Sequence, residues 1–271
     1  MRVLISVDIE GVAGVSRPEQ TQAGAIDYDT ARRLMTEEAN AAIRGAFAAG
    51  ATDVIAADAH GSFGNLLPGL LDPRARLAHG KPRPHGMMQG IDASIGAAML
   101  VGYHAMAGAR GVLSHTIRGT AFHRVWINDR PVGEAMLYGL LIGEMGVPIV
   151  MASGDDAFAA ETRAWLPHAR FAVVKEAIGH RAAISLSPEK ARALIESEAK
   201  AGLGSVSMAE PLRLDPPLAC RVEAKSLVLA DLFAVLPGAR RPDPLIVEFT
   251  AGSAADVLGV LQLFSAASAS I

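Results

Sequence analysis

The sequence predicts an α/β fold: a mostly parallel sheet with flanking helices, a metal site at the carboxyl-terminal ends of its strands, and a smaller C-terminal α+β lobe. Three observations carry this. The apolar run after Arg2 ends abruptly in two carboxylates, Asp8 and Glu10, with Gly11 behind them. The run from Val54 ends in Asp58-Ala-His60, and the run from Ala98 ends in Gly102-Tyr-His104. A helix-spaced segment separates the first two runs, and a strand–helix–strand unit normally makes a right-handed crossover and a parallel sheet. In such sheets the side chains at the carboxyl ends of strands face the crevice where ligands bind.

The elements follow in order. Residues 2 to 8 read as a buried strand. Residues 29 to 49 form a long amphipathic helix, with Leu34, Ala39, Ile43, Ala46 and Phe47 near helical spacing and Gly50 as its stop. The loop at 11 to 27 is long, and a long loop beside a site often covers it. A strand follows at 53 to 57. Residues 61 to 90 are rich in Gly and Pro and read as an irregular excursion with a short strand near Arg76 to Ala78. A third strand lies at 98 to 102. Residues 112 to 117 and 123 to 127 read as two extended segments joined by Arg118-Gly-Thr120, a hairpin or flap. Asn128-Asp-Arg-Pro131 is a turn, and a helix runs from about Val132 to Met145. A strand at 149 to 153 leads into a helix that Asp155 or Asp156 caps and that ends near Trp165. A strand at 171 to 174 precedes a helix begun by Ser187-Pro188 and running to about Ala201. After residue 205 proline-containing stretches alternate with short strands near 219 to 224 and 244 to 249, and helices near 227 to 235 and 253 to 264. This divides the chain into a catalytic α/β domain at 1–204 and a smaller lobe at 205–271.

The composition agrees with a globular chain. Of 271 residues, 51% are hydrophobic and 20% charged, enough for a full core. A net charge of -3 gives no reason to expect nucleic acid or an anionic membrane as partner. The single cysteine, Cys220, leaves any metal to histidine and carboxylate, which favours zinc or another borderline divalent ion. Asp8 and Glu10 interrupt what would be the apolar core of a signal peptide, and no apolar run is long enough to span a membrane, so a cytoplasmic protein is expected.

The candidate metal ligands are Asp8, Glu10, His60, His104 and Glu134, with His115 and Asp58 close to them in sequence. Asp8 and Glu10 lie two apart and share a face on extended backbone, where they repel unless a cation or proton sits between them. Asp8 at a strand end could also bridge two metals. Each residue has a plainer account. Asp8 could cap a helix, His60 could be a satisfied loop histidine, and His104 could be a packed histidine on a backbone carbonyl. Glu134 opens a helix, where the dipole alone favours an acid. Asp58 reads as a supporting acid beside His60. His168 and His180 read as surface residues, and His85 and His123 could line a pocket. The chain lacks a Gly-x-Gly-x-x-Gly fingerprint, a P-loop, a Gly-x-Ser-x-Gly elbow and a His-Glu-x-x-His motif.

Taken together, Ser6-Val-Asp-Ile-Glu-Gly11, Met35-Thr-Glu-Glu-Ala-Asn40, Asp58-Ala-His60, Gly102-Tyr-His104-Ala, Gly111-Val-Leu-Ser-His115, Ile127-Asn-Asp-Arg-Pro-Val-Gly-Glu134 and Ser153-Gly-Asp-Asp156 resemble the D-aminopeptidase family of zinc metallopeptidases. The blocks run collinearly from residue 1 to about residue 200, and the last seventy residues match weakly. The resemblance implies two zinc ions per subunit. Asp8 would bridge both, Glu10 and His60 would complete one site, and His104 and Glu134 the other. His115 would be the catalytic histidine. It also implies short peptide substrates with an N-terminal D-residue such as D-alanine, and a homodecamer of two stacked pentameric rings. Arg118-Gly-Thr-Ala-Phe-His-Arg124 departs from the family pattern and is expected to shape the substrate pocket. Two other readings use the same residues: a dinuclear-metal hydrolase of other small amides or L-peptides, and a non-catalytic, metal-stabilised assembly that binds peptides.

Overall fold

The computed structural model describes residues 1–271. The chain enters through strand β1 (Arg2–Val7), helix α1 (Tyr28–Ala48), β2 (Asp53–Asp58), β3 (Ala75–Ala78) and β4 (Ile95–Tyr103). It continues with β5 (Phe122–Ile127), β6 (Arg130–Pro131), α2 (Glu134–Glu144), β7 (Ile149–Asp155), α3 (Asp156–Arg163), β8 (Arg170–Gly179), β9 (Ala182–Ser185) and α4 (Pro188–Gly204). The last part holds β10 (Leu218–Ala224), α5 (Leu227–Phe233), β11 (Arg240–Asp243), β12 (Ile246–Ala251) and α6 (Ala254–Ala267). A seven-stranded sheet has the order β3-β2-β1-β4-β7-β8-β9, parallel apart from the β8–β9 hairpin.

The central strand β1 is apolar on both faces because both are covered. Val3, Ile5 and Val7 pack with Ala31, Met35 and Ile43 of α1 and with Ala191, Ile195 and Ala199 of α4. Leu4 points the other way, into a second core with Leu100, α2, Phe158 of α3 and the rest of the chain. This alternation sets the site: Leu4, Ser6 and Asp8 fall on the second face. Ser6 Oγ meets the Met87 carbonyl at 2.8 Å and the Tyr103 hydroxyl at 2.7 Å.

A five-stranded antiparallel sheet, β11-β12-β10-β5-β6, lies over that face. Its helices α5 and α6 supply Phe233 and Phe264, whose rings stack at 4.3 Å. Strand β5 sits inside this sheet, paired with β10, rather than forming a hairpin with 112 to 117. Residues 112 to 117 are turns and bends instead. The second sheet thus joins residues 122–131 to strands from the last quarter of the chain. Strand β8 runs past 174 to Gly179 because Lys175, which reads as a strand end, is 2% exposed and internally satisfied. The four-residue strands β9 and β11 carry too few residues for an alternating pattern to show. No helix is long and apolar enough to cross a membrane.

Candidate metal centre and active site

Asp8 leaves the end of β1, His60 lies two residues past β2, and His104 follows β4 directly. Three strands side by side therefore deliver three ligand-type side chains to one spot. Glu134 is the first residue of α2, after the N-cap Gly133. His115 comes from the irregular stretch between β4 and β5. All six residues singled out in the sequence converge here.

The close approach of two turns makes this possible. After Asp8 the chain folds over the end of β4, and the Gly11 amide donates to the Gly102 carbonyl at 2.7 Å. A Cβ at Gly11 would collide with the Tyr103 carbonyl oxygen. Gly102 has φ +68°, the left-handed region that suits glycine, and a Cβ there would strike the Asp8 carbonyl. Lys175 locks the turn from beneath. Its Nζ donates to the carbonyls of Glu10 at 2.5 Å, Val12 at 3.1 Å and Val15 at 2.6 Å. Glu38 of α1 accepts the Ala13 amide at 2.8 Å.

The ligand atoms of Asp8, Glu10 and His104 lie within 4.8 Å of one another, and so do those of His104, His115 and Glu134. The Asp8 carboxylate spans the centre: Oδ1 is 3.3 Å from His60 Nδ1, and Oδ2 is 3.5 Å from His104 Nε2. Glu10 Oε2 is 3.0 Å from His60 Nδ1, and Glu134 Oε1 is 3.7 Å from His104 Nε2 and 3.6 Å from His115 Nε2. The His104 and His115 rings stack at 4.1 Å.

The far ring nitrogens are held by backbone. His60 Nε2 meets the Thr21 carbonyl at 2.8 Å, His104 Nδ1 that of Ala105 at 2.9 Å, and His115 Nδ1 that of Leu113 at 2.9 Å. With those nitrogens committed as donors, all three rings aim their other nitrogen at the carboxylates, the orientation of metal-ligating histidines. Thr21 belongs to the long loop after β1, so that loop orients a candidate ligand. Asp58 does not touch the His60 ring. It accepts from the Asn65 amide at 2.5 Å and the Leu66 amide at 2.7 Å, holding the 60–66 turn in place.

His104 Nε2 and Glu10 Oε2 are buried without a hydrogen-bond partner. Buried polar atoms are normally satisfied, so two that aim into one acidic cluster call for a ligand between them. Hard carboxylate and imidazole donors without thiolate fit a divalent metal of the zinc type. The electrostatics agree. Burial, then the nearby Glu10 charge, pushes the Asp8 carboxyl up to about 7. Burial also works against Glu10, but the closer His60 outweighs it and holds Glu10 well below the usual range. Burial opposes the charged form of His104, yet Glu134 and Asp8 push it up to about 10. Burial and the neighbouring His104 bring His115 down.

A cavity of about 750 Å³ opens above the cluster, within the ~300–1,000 Å³ range that takes small ligands. Asp8, His60, His115 and Glu134 lie at its floor, Phe63, Lys81, Arg83 and Arg118 line it, and Gln262 and Leu263 of α6 close it. Thr21, Lys81 and Lys175 were not singled out as site residues in the sequence, whereas Arg118 opens the segment expected to shape the pocket and does line it. Of the first three only Lys175, a charge beside the apolar Val173-Val174, stands out locally.

A buried acid–histidine cluster at the strand ends, beneath an open cavity, defines a metallohydrolase. The family model of the M55 peptidases, the D-aminopeptidases, matches residues 1–263. A D-aminopeptidase of Bacillus subtilis (strain 168) is 35% identical over 238 residues, covering 88% of this chain and 86% of that protein. The solved structure of the Zn-dependent D-aminopeptidase DppA from Bacillus subtilis, a self-compartmentalizing protease, superposes with a TM-score of 0.95 at 32% identity, over 98% of this chain and 97% of that one. The chain belongs to the D-aminopeptidase family and is a metallo-aminopeptidase.

Proposed function

We propose that this protein is a zinc aminopeptidase that binds two metals per subunit and removes an N-terminal D-residue, such as D-alanine, from short peptides. The observation that carries the reading is the pair of overlapping ligand clusters that meet at His104, with Asp8 between the histidines. Asp8 would serve both positions, Glu10 and His60 would hold one, and His104 and Glu134 the other. Divalent metal bound there supplies an acidified water and polarises a carbonyl oxygen. The protein's own groups bind and orient the peptide, exclude bulk water and move protons at His115 Nε2. The zinc dependence of the related structure and the thiolate-free donor set support zinc. In this reading residues 1–204 provide the ligands, and the lobe at 205–271 closes the cavity through α6.

A ring-shaped homo-oligomer, the decamer of two pentamers, accords with the self-compartmentalizing relative. Ile178 and Ile184 on the β8–β9 hairpin and Val235 after α5 are 63%, 64% and 76% exposed and are available for subunit contacts. A cytoplasmic location suits the absence of disulfide chemistry in a one-cysteine chain.

The test is metal content together with D-alanine release from D-Ala-D-Ala before and after chelation. About two zinc per chain and chelator-sensitive turnover are expected. A folded protein that takes up no metal overturns the reading. Turnover of L-peptides or amino-acid amides instead favours the broader dinuclear hydrolase.

Metal binding should also be strongly pH-dependent. In the metal-free protein His104 is pushed up to about 10 and Asp8 up to about 7. His60 is held well above its ordinary value: burial opposes the charge, but Glu10 and Asp8 outweigh it. Ligation needs neutral histidines and an ionised Asp8, so zinc must displace these protons. Affinity then rises with pH and falls as pH drops below 7. Calorimetry in buffers of different ionisation enthalpy should read roughly two protons released at pH 7; binding with no proton release would show that these groups are not ligands.

A further inference from the structure

The cavity is electrically lopsided. Its floor carries the carboxylates Asp8 and Glu134, and its wall carries three cations, Lys81, Arg83 and Arg118. The three cations have different duties. Arg83 is committed to structure: it donates to the Ala78 carbonyl at 3.1 Å and to the Asp58 carbonyl, and its guanidinium lies 3.8 Å from the centre of the Phe63 ring. Lys81 Nζ stands 4.6 Å above the same ring, with no carboxylate beside it. The Arg118 side chain donates only to Thr120 Oγ1, through Nε at 3.2 Å, which leaves its terminal nitrogens free to face the cavity.

Gathering unpaired cations is costly. Lys81 is held below its ordinary value by burial and then by the positive charges of Arg83 and Arg118. Like charges in a partly enclosed wall disfavour one another, and an anion placed beside them relieves that cost. A planar guanidinium beside an ammonium is suited to a carboxylate.

We propose that Lys81 and Arg118 form the subsite for the free C-terminal carboxylate of a short peptide, so that the enzyme selects its substrates by that carboxylate. This rests on the peptidase reading above. A di- or tripeptide has a cationic amine at one end and a carboxylate at the other. The floor receives the N-terminal end of the peptide, the cationic wall receives its C-terminal carboxylate, and the bond to be cut lies between them. Arg83 contributes by holding Phe63 and the Lys81 loop in place.

The test compares D-Ala-D-Ala with D-alanine amide, which lacks the carboxylate, in the zinc-loaded parent and in Lys81→Ala, Arg118→Ala and Arg118→Lys. Each alanine variant should lose roughly 10- to 100-fold in kcat/KM on the dipeptide, the range of a charged hydrogen bond. The loss should appear mainly in KM, be at least tenfold smaller on the amide, and be partly restored by Arg118→Lys. Equal losses on both substrates, or none, would overturn the proposal. Calorimetric binding of D-Ala-D-Ala and of D-Ala-D-Ala amide to the metal-free protein separates this question from activity. The dipeptide should bind more tightly, and the alanine variants should erase the difference. If the parent cleaves neither substrate, the peptidase reading fails while the binding comparison still decides the subsite. Equal binding of both ligands by the parent would sink it.

Discussion

Asp8→Asn should abolish zinc-dependent turnover and, at the same time, yield a metal-free protein that unfolds at a higher temperature than the parent. The two effects have one cause. Asp8 is 2% exposed and lies between two histidines, with a second carboxylate beside it. Without metal its ionised form is disfavoured, and its carboxyl is pushed up to about 7. A carboxyl whose folded pKa is raised binds more protons in the native than in the unfolded state. Its contribution to stability therefore falls as pH rises from about 4 to about 7 and stays low above that. Asparagine keeps the shape and can still accept the Ile9 amide that Asp8 Oδ1 holds at 2.9 Å. It cannot neutralise two cations. At zinc 1,000-fold above Kd, the parent should gain about 4 kcal/mol, or roughly 8 °C or more for a chain of this size. The variant should gain little. Thermal unfolding at pH 8, with and without zinc, reads both effects. A variant that still shows the zinc-induced rise and still turns over would remove Asp8 from the bridging position.

That experiment probes the part of the molecule most legible in the sequence. Asp8, His60 and His104 could be read because an apolar strand ending in a polar ligand is a local pattern, and neighbouring parallel strands turn three local patterns into one place. Glu134 and His115 were not legible in this way. An acid opening a helix and a histidine in irregular text have ordinary explanations, and only collinear resemblance to a family tied them to the others. The second sheet was harder still. Strand β5 pairs with β10 about a hundred residues later, and nothing in its alternation says which edge it joins. Lys175 shows the opposite failure. A lysine ends a strand by any propensity argument, yet three carbonyls of the Glu10 turn replace its water, so β8 continues through it. The sites that local rules misread are thus the ones where distant backbone satisfies a charge, and here that charge fixes the turn carrying Glu10.

His115→Ala should lower kcat by roughly 10²–10⁴-fold, the usual worth of a positioned acid–base group, while leaving zinc content unchanged. The geometry suits His115 to a proton-carrying role. Its side chain is 25% exposed, the most open of the three histidines in the cluster. Its Nδ1 is committed to the Leu113 carbonyl, so the neutral ring presents Nε2 as a base. Burial lowers its pKa, and a positive centre beside it, the charged His104 of the metal-free protein, acts the same way, so it is neutral at pH 7 and can take a proton there. Having taken it, the same nitrogen can return the proton to the departing amine, and the stacked His104 ring keeps it from swinging away. Turnover should therefore fall as pH drops through the His115 pKa, and that acidic limb should vanish in the variant. The competing outcome is equally definite. His115 Nε2 also clusters with His104 and Glu134 closely enough to share a metal. If the variant loses one zinc per chain, His115 is a ligand, and the proton must be carried by another group. If zinc stays and turnover collapses, the carboxylates and the other two histidines suffice for the metals, and His115 is the residue that moves the proton.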